Sequence, residues 1–378
     1  MPIYFDNAAT SPLRKEVIES INEVLVETYG NPSSNHSFGR KAKNLIENSR
    51  KIISSILNVS PQEIIFTSGG TESDNMLLRS AVEDLNIKTI ISTKIEHHAI
   101  LHALDYLEKK NVSIVYLPVD KNGEFKYQDL EKALSFDDSK KLVSLMHVNN
   151  EIGNKIDLEY ISKICQSSEV LLHTDAVQSI GHYKVDLTKL KVDFLSAAAH
   201  KFHGPKGIGF SFVRKNSGLN PFILGGSQER GLRAGTESVH NIVGMSKALE
   251  LAYENLEEES KYIRNLKNYA ISKINEFIPE SHFNGNCDKD EKSAYNLINV
   301  NLPISPEKKD LLDFQLDLKG IACSKGSACQ SGSTKGSHVL DLVVPKELKN
   351  RPSLRFSFSS FNSKDEIDFL IKTIREFV

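Results

Sequence analysis

Short apolar runs punctuate the first two thirds of the chain, at Ile64–Thr67, Lys88–Thr93, Val112–Leu117, Leu142–His147, Val170–His173, Val192–Ala197 and Gly207–Val213. Between most of them, apolar residues fall three and four apart, the helical period. Helical spacing also fills Leu13 to about Tyr29 and Phe38 to Val59, and it resumes after Ser73 through Met76, Leu77 and Leu78. Strand–helix alternation of this kind predicts a mainly parallel sheet covered on both faces. The seventh run follows the sixth through only the turn Gly204-Pro205-Lys206-Gly207. A parallel crossover needs a dozen or more residues, so that pair is predicted antiparallel.

From Ser246 to Phe277 the pattern is helical, charged and long, as expected of a connector. Strands at Tyr295–Leu302 and Leu354–Phe358 and helices at Pro306–Leu318 and Lys364–Val378 then follow. Between them lies a stretch of small polar residues, 324–337. Tyr4 to Pro12 reads as a short extended run into a turn. The prediction is an α/β chain. Its large domain, 14–255, is built on a mainly parallel seven-stranded sheet, and residues 1–13 and 256–378 form a smaller α+β domain.

Charge and cysteine usage narrow the class. The formal net charge of −2 gives no reason to expect nucleic acid or an anionic membrane as a bulk partner. No apolar run approaches the roughly 18 residues of a membrane span, and Met1-Pro2-Ile3 opens no signal peptide. None of the 4 cysteines (Cys165, Cys287, Cys323, Cys329) sits in a CxxC pair, which disfavours a disulfide scaffold or zinc module and fits a reducing cytoplasm.

Candidate chemistry concentrates between Leu171 and Gly209. One apolar run stops at His173-Thr174-Asp175 and a later one at His200-Lys201, ahead of a Gly/Pro-rich turn. Two strand ends then present a carboxylate and an amine at the rim of the sheet, where open α/β folds place ligands. An Asp that keeps a ring nitrogen protonated and a Lys that forms a Schiff base suit pyridoxal phosphate; an ordinary capping pair reads equally well from these residues alone.

Ser68-Gly69-Gly70-Thr71 lies between strand and helix, either as a phosphate cup or as a simple capping turn. His97, after the strand ending at Thr93, can stack on a planar ring or shuttle protons. Neither His97-His98 nor His200 and His203 has the i,i+4 spacing of metal ligands, so no metal site is expected. Asn150 follows another strand end and can donate to an anionic oxygen, or merely build a turn. Gln178, three residues after Asp175, shares its face if a helix starts there. Arg355 interrupts an apolar strand and calls for a carboxylate, from substrate or from the protein. Cys329, flanked by Gly326-Ser327-Ala328 and Gln330-Ser331-Gly332, reads as a thiol on an exposed loop, either nucleophile or inert.

Taken in order, these segments resemble the class V aminotransferase-like enzymes, and more closely the cysteine desulfurases of the iron–sulfur assembly type. The matching stretches are Phe5-Asp6-Asn7-Ala8-Ala9-Thr10, Gly30-Asn31-Pro32-Ser33-Ser34, Phe66 to Ser73, Val148 to Gly153, Asp175-Ala176-Val177-Gln178, His200-Lys201, Gly204 to Gly209 and Gly326-Ser327-Ala328-Cys329. The resemblance implies aminotransferase fold type I and pyridoxal 5'-phosphate as cofactor. It also implies conversion of L-cysteine to L-alanine, with the sulfur held as a persulfide for an acceptor protein.

By the same resemblance Lys201 forms the Schiff base and later moves substrate protons. Asp175 pairs with the pyridinium nitrogen, Gln178 meets the ring oxygen, and His97 stacks on the ring. Gly70, Thr71 and His200 surround the phosphate. Thr236 reaches the phosphate of a second subunit, which implies a homodimer. Asn150 and Arg355 hold the substrate carboxylate, and Cys329 takes the sulfur. The chain departs from the pattern once: Ala198 stands where the family usually has a phosphate-binding serine. A selenocysteine lyase or other lyase on the same fold is the alternative enzyme. A non-catalytic module is disfavoured because Lys201, Asp175, Cys329 and Arg355 are all present.

Overall fold

The computed structural model describes residues 2–309, 311–325 and 336–378. Cys329 lies outside them. The chain opens with β1 (Ile3–Tyr4), α1 (Lys15–Glu27) and α2 (Ser37–Ile56). The α/β part follows as β2 (Ile64–Thr67), α3 (Gly70–Leu85), β3 (Thr89–Thr93), α4 (His98–Glu108), β4 (Ser113–Leu117), α5 (Tyr127–Ser135), β5 (Lys141–Ser144), α6 (Leu158–Ser167), β6 (Leu171–Asp175), β7 (Phe194–Ala198) and β8 (Gly209–Val213).

These strands form one seven-stranded sheet in the order β2-β8-β7-β6-β5-β3-β4. Only β8 runs against its neighbours, pairing antiparallel with β2 and β7. The short turn before β8 therefore does what its length requires. Inner strands such as β3, β5 and β7 are buried along their whole length because helices cover both faces. Successive residues feed opposite faces: Phe194 packs in one core and Leu195 in the other, as do Leu142 and Val143.

Helices α7 (Val239–Glu254) and α8 (Leu256–Phe277) replace the single predicted helix over Ser246–Phe277. The break is at Asn255, whose side-chain amide turns back onto the Leu251 carbonyl at 2.9 Å. Apolar spacing continues across it, which hides the break in the sequence. After α8 come β9 (His282–Phe283), β10 (Leu297–Asn301), α9 (Pro306–Lys309), α10 (Leu312–Leu318), β11 (Ile321–Ala322), α11 (His338–Val343), β12 (Ser353–Ser357) and α12 (Lys364–Arg375). The predicted helix over Pro306–Leu318 is thus also two pieces. β12-β10-β9 form a second sheet, and β1 pairs with β11.

A separate core joins Ile3 and Phe5 to side chains from Ile263 to Ile374. The N-terminal segment then crosses back to the large sheet. Ser11 takes its backbone N–H to the His200 carbonyl at 2.8 Å, and its hydroxyl accepts from the His203 N–H at 2.7 Å. This crossing lays residues 6–11 over the turn that carries Lys201.

Candidate active site

Parallel register sets the first two chemical groups side by side. Asp175, the last residue of β6, is level with Ser196 of β7. Past Ser196, β7 ends at Ala198, and a tight turn over Ala199–Lys201 lifts the lysine above the sheet edge. Gln178 follows Asp175 in a turn closed by bonds to the Ala176 carbonyl, not in the helix its spacing suggested. Its amide nevertheless points inward and donates to the Ala8 carbonyl at 2.9 Å.

The groups surround a cavity of about 160 Å3 lined by Ala8, Ala9, Gly70, Thr71, Asp74, His97, Met146, Asn150, Asp175, Val177, Gln178, Ala198, His200, Lys201 and Arg355. Nearly every residue singled out from the sequence is on that wall. Thr236 is not: it is exposed and outside the cavity. Sequence reading missed Asp74, Ala8, Ala9, Met146 and Val177. A larger cleft of about 1010 Å3 shares Met146 with this cavity, but neither Asp175 nor Lys201 lines it. Asp175 and Lys201 both face the smaller space.

Lys201 is held by the N-terminal segment, its ammonium donating to the Ala8 and Ala9 carbonyls at 2.8 Å each. Asp175 is 5% exposed, and burial above all, then the neighbouring Asp74 carboxyl, pushes it up to about 7. One oxygen accepts from the Val177 N–H at 2.9 Å. A carboxyl raised mainly by desolvation returns to its charged form when a cation comes against it, which is what a pyridinium N–H provides.

His97 caps α4, its Nδ1 accepting from the Ala99 N–H at 3.1 Å. That bond leaves the proton of the neutral ring on Nε2. Burial first, then Lys201, pushes His97 down to about 4, so the ring is an uncharged plate at neutral pH. Glu96 beside it ties two strand ends together, accepting from Thr93 Oγ1 and the Met146 N–H at 2.9 Å each.

The phosphate end fits as well. Gly69, at φ +152°, occupies backbone space that side chains avoid, and α3 starts with no side-chain cap on its N–H groups. A Cβ on Gly70 would sit 2.7 Å from Val177 Cγ2, so this wall is built around a bare backbone. His200 Nδ1 is buried without a partner, and burial pushes that ring down to about 4. An orphaned ring nitrogen, Thr71, open helix N–H groups and a lysine around one cavity suit a phosphorylated aldehyde.

Arg355, 1% exposed, uses one arm on Asp6 Oδ1 at 2.8 Å and another on the Asn150 carbonyl at 2.7 Å, while its Nε is buried without a partner. Its carboxylate is thus the protein's own, Asp6, although the side chain also lines the cavity. Among the described residues no group of three or more His, Cys, Asp or Glu is placed to hold a metal ion. Nor is any helix long and apolar enough among them to cross a membrane. Cys165, Cys287 and Cys323 are thiols that burial pushes up to about 12.

Comparison with known proteins shows the family. The family model for class-V aminotransferases matches residues 3–370. A cysteine desulfurase IscS of Dictyoglomus turgidum is 41% identical over 379 residues, covering 100% of this chain and 94% of that one. A solved NifS-like protein superposes with a TM-score of 0.90 at 38% identity, covering 100% of this chain and 99% of its own. The structure of SspA in complex with cysteine superposes at 0.81, with 31% identity over 96% of this chain and 100% of that one. The chain belongs to the class-V aminotransferase family and, within it, to the pyridoxal phosphate-dependent cysteine desulfurases.

Proposed function

We propose that this protein converts L-cysteine to L-alanine, that Cys329 takes the sulfur as a persulfide, and that an acceptor protein then receives it. One observation carries the reading: Lys201, Asp175, His97, Gln178 and Arg355 converge on a single cavity of about 160 Å3.

The chemistry supplied by bound pyridoxal phosphate is an electron sink for the substrate Cα. Asp175 keeps the ring nitrogen protonated, and buried as it is, its charge acts through little dielectric screening. Gln178 can donate toward the ring oxygen once it shares its amide with Ala8. His97 lies as a neutral plate on the cavity wall. Lys201, released from the Ala8 and Ala9 carbonyls, anchors the cofactor and then moves a proton at the substrate Cα. Thr71, Gly70 and His200 would hold the phosphate. Asn150 and Arg355 orient the substrate carboxylate.

Sulfur capture needs a thiolate from outside the wall. Cys165, Cys287 and Cys323 are held protonated by burial, which leaves Cys329, among Gly, Ser and Ala neighbours, as the thiol suited to the task. Balance is simple. The thiolate attacks the substrate sulfur, the C–S bond breaks toward Cα–Cβ, and protonation at Cβ yields alanine while both sulfurs remain as a persulfide.

A homodimer is part of the proposal. Thr236 is exposed and outside its own cavity, and Val26 (79% exposed), Tyr29 (76%) and Phe38 (51%) leave large apolar side chains uncovered. We place the domain boundary at the Asn255 break, where the second core takes over, and the site of action in the cytoplasm. Alanine formed from cysteine by the cofactor-loaded protein, and lost in Lys201→Ala, tests the activity. Equal alanine from both proteins sinks it.

A further inference from the structure

Behind the site lie three carboxyl groups that, among the described residues, form no salt bridge with a lysine or arginine. Asp74 on α3 is 1% exposed, Glu96 is 2% exposed, and Asp175 closes β6. Asp74 and Asp175 line the same cavity. The groups facing Asp74 from other elements are His173 and Asp175 on β6 and Glu96 beyond β3. His173 Nε2 lies 3.6 Å from Asp74 Oδ1, but that ring is fully buried and pushed down to about 4, so it is neutral and offers no charge. Its Nδ1 meets Ser144 Oγ at 2.9 Å and its Nε2 meets Ser196 Oγ at 3.3 Å.

Carboxylates crowded into one dry space cannot all ionise. Charge goes where donors and cations wait for it. Asp175 has the Val177 N–H and feels Lys201. Glu96 has its two donors but no cation acting on it. Asp74 has Ser196 on one side, while its Oδ1 is buried with no hydrogen-bond partner. Burial pushes Asp74 up to about 7.

We infer that Asp74 is a positioning residue that keeps its proton behind the cofactor ring, so that Asp175 alone carries the negative charge opposite the pyridine nitrogen. This rests on the reading of the site given above. If Asp74 ionised, its charge would raise Asp175 and blur which carboxyl faces the ring. The α3 helix, which presents Gly70 and Thr71 to the phosphate, thereby also sets the electrostatics at the far end of the ring.

The test is infrared spectroscopy of protein labelled with carboxyl-13C aspartate, with and without pyridoxal phosphate. The label separates aspartate from the buried Glu96. The result expected at neutral pH is a protonated-carboxyl band that shifts with the label in the cofactor-loaded protein, disappears in Asp74→Asn and survives in Asp175→Asn. A second readout is the absorption of bound cofactor against pH: its alkaline limb should be lost in Asp74→Asn. No aspartate-derived protonated band in loaded wild-type protein overturns the inference without any variant, as does a band that Asp74→Asn leaves in place. If the protein takes up no cofactor, the proposed function fails instead, and the band in cofactor-free protein still reports on Asp74.

Discussion

Arg355 donates to Asp6 Oδ1 at 2.8 Å, and through this pair the second core reaches the cavity. Ser324 Oγ donates to the same Asp6 oxygen at 2.7 Å, just ahead of residues 326–335. A substrate carboxylate arriving at Arg355 must share the guanidinium with Asp6. Hydrogen bonds to charged groups contribute about 1.5–3 kcal/mol, so Arg355→Ala should raise KM for cysteine roughly 10–100-fold. Steady-state kinetics decide it. A variant that only melts earlier, with KM unchanged, makes the arginine a structural partner of Asp6.

Ala198 is 1% exposed, and its Cβ would lie 3.8 Å from a Cβ built on Gly70, at the phosphate end of the cavity. Ala198→Ser adds a hydroxyl where the family usually has one. The added bond to an anion is worth about 1.5–3 kcal/mol, so the variant should retain pyridoxal phosphate roughly 10–100-fold more tightly. Equilibrium dialysis measures this. Equal retention by the two proteins means another contact already does the work.

Much of this site was legible because apolar runs end abruptly on polar residues: Asp175 after Leu171-Leu172, and His200-Lys201 after Phe194 to Ala199. Chain position at a strand end is a strong geometric constraint, and Gly69-Gly70 marked the turn that brings the start of α3 to the cavity. Asp74 was not legible. Ser73-Asp74-Asn75 looks like the exposed first turn of a helix, and only the packing of α3 on β6 and β7 buries it. The Ala8 and Ala9 carbonyls carry no side-chain signal. The Asn255 break was hidden because apolar spacing runs on both sides of it. The resemblance placed Arg355 at the substrate, whereas its partner Asp6 lies almost the whole chain away in sequence.

Gly70→Ala should damage cofactor binding more than folding. The new Cβ would stand 2.7 Å from Val177 Cγ2, and such overpacking costs about 1–3 kcal/mol. Val177→Ala in the same chain removes the clash and should restore most of the binding. Absence of rescue in the double variant, measured by cofactor titration, argues that Gly70 matters for another reason.

Acid should weaken the cofactor-free protein. His97, His147, His173, His200 and His203 are each pushed down to about 4, chiefly by burial. Their folded values lie below the ordinary one near ~6.5, so the unfolded chain binds extra protons between these limits and stability falls as pH drops through that window. Asp74 and Asp175, both raised to about 7, act in the opposite sense from about 4 to about 7. Glu96, Glu151, Asp193 and Glu237 are raised as well, whereas His98, His182, Glu47 and Glu72 are lowered and act with the histidines. The lowered groups outnumber the raised ones and should leave a lower Tm at about pH 5 than at about pH 7. Calorimetry showing a flat or reversed trend contradicts these assignments.

The central claim is that sulfur leaves cysteine within this cavity and is caught by Cys329. Intact-protein and peptide mass spectrometry after brief incubation of the cofactor-loaded protein with L-cysteine tests it most directly. The account predicts one extra sulfur on the Cys329 peptide, released by reductant. It also predicts that Cys329→Ser binds cofactor and cysteine yet carries no adduct. An adduct on Cys323 or another thiol, or sulfide released by Cys329→Ser at the wild-type rate, would contradict it.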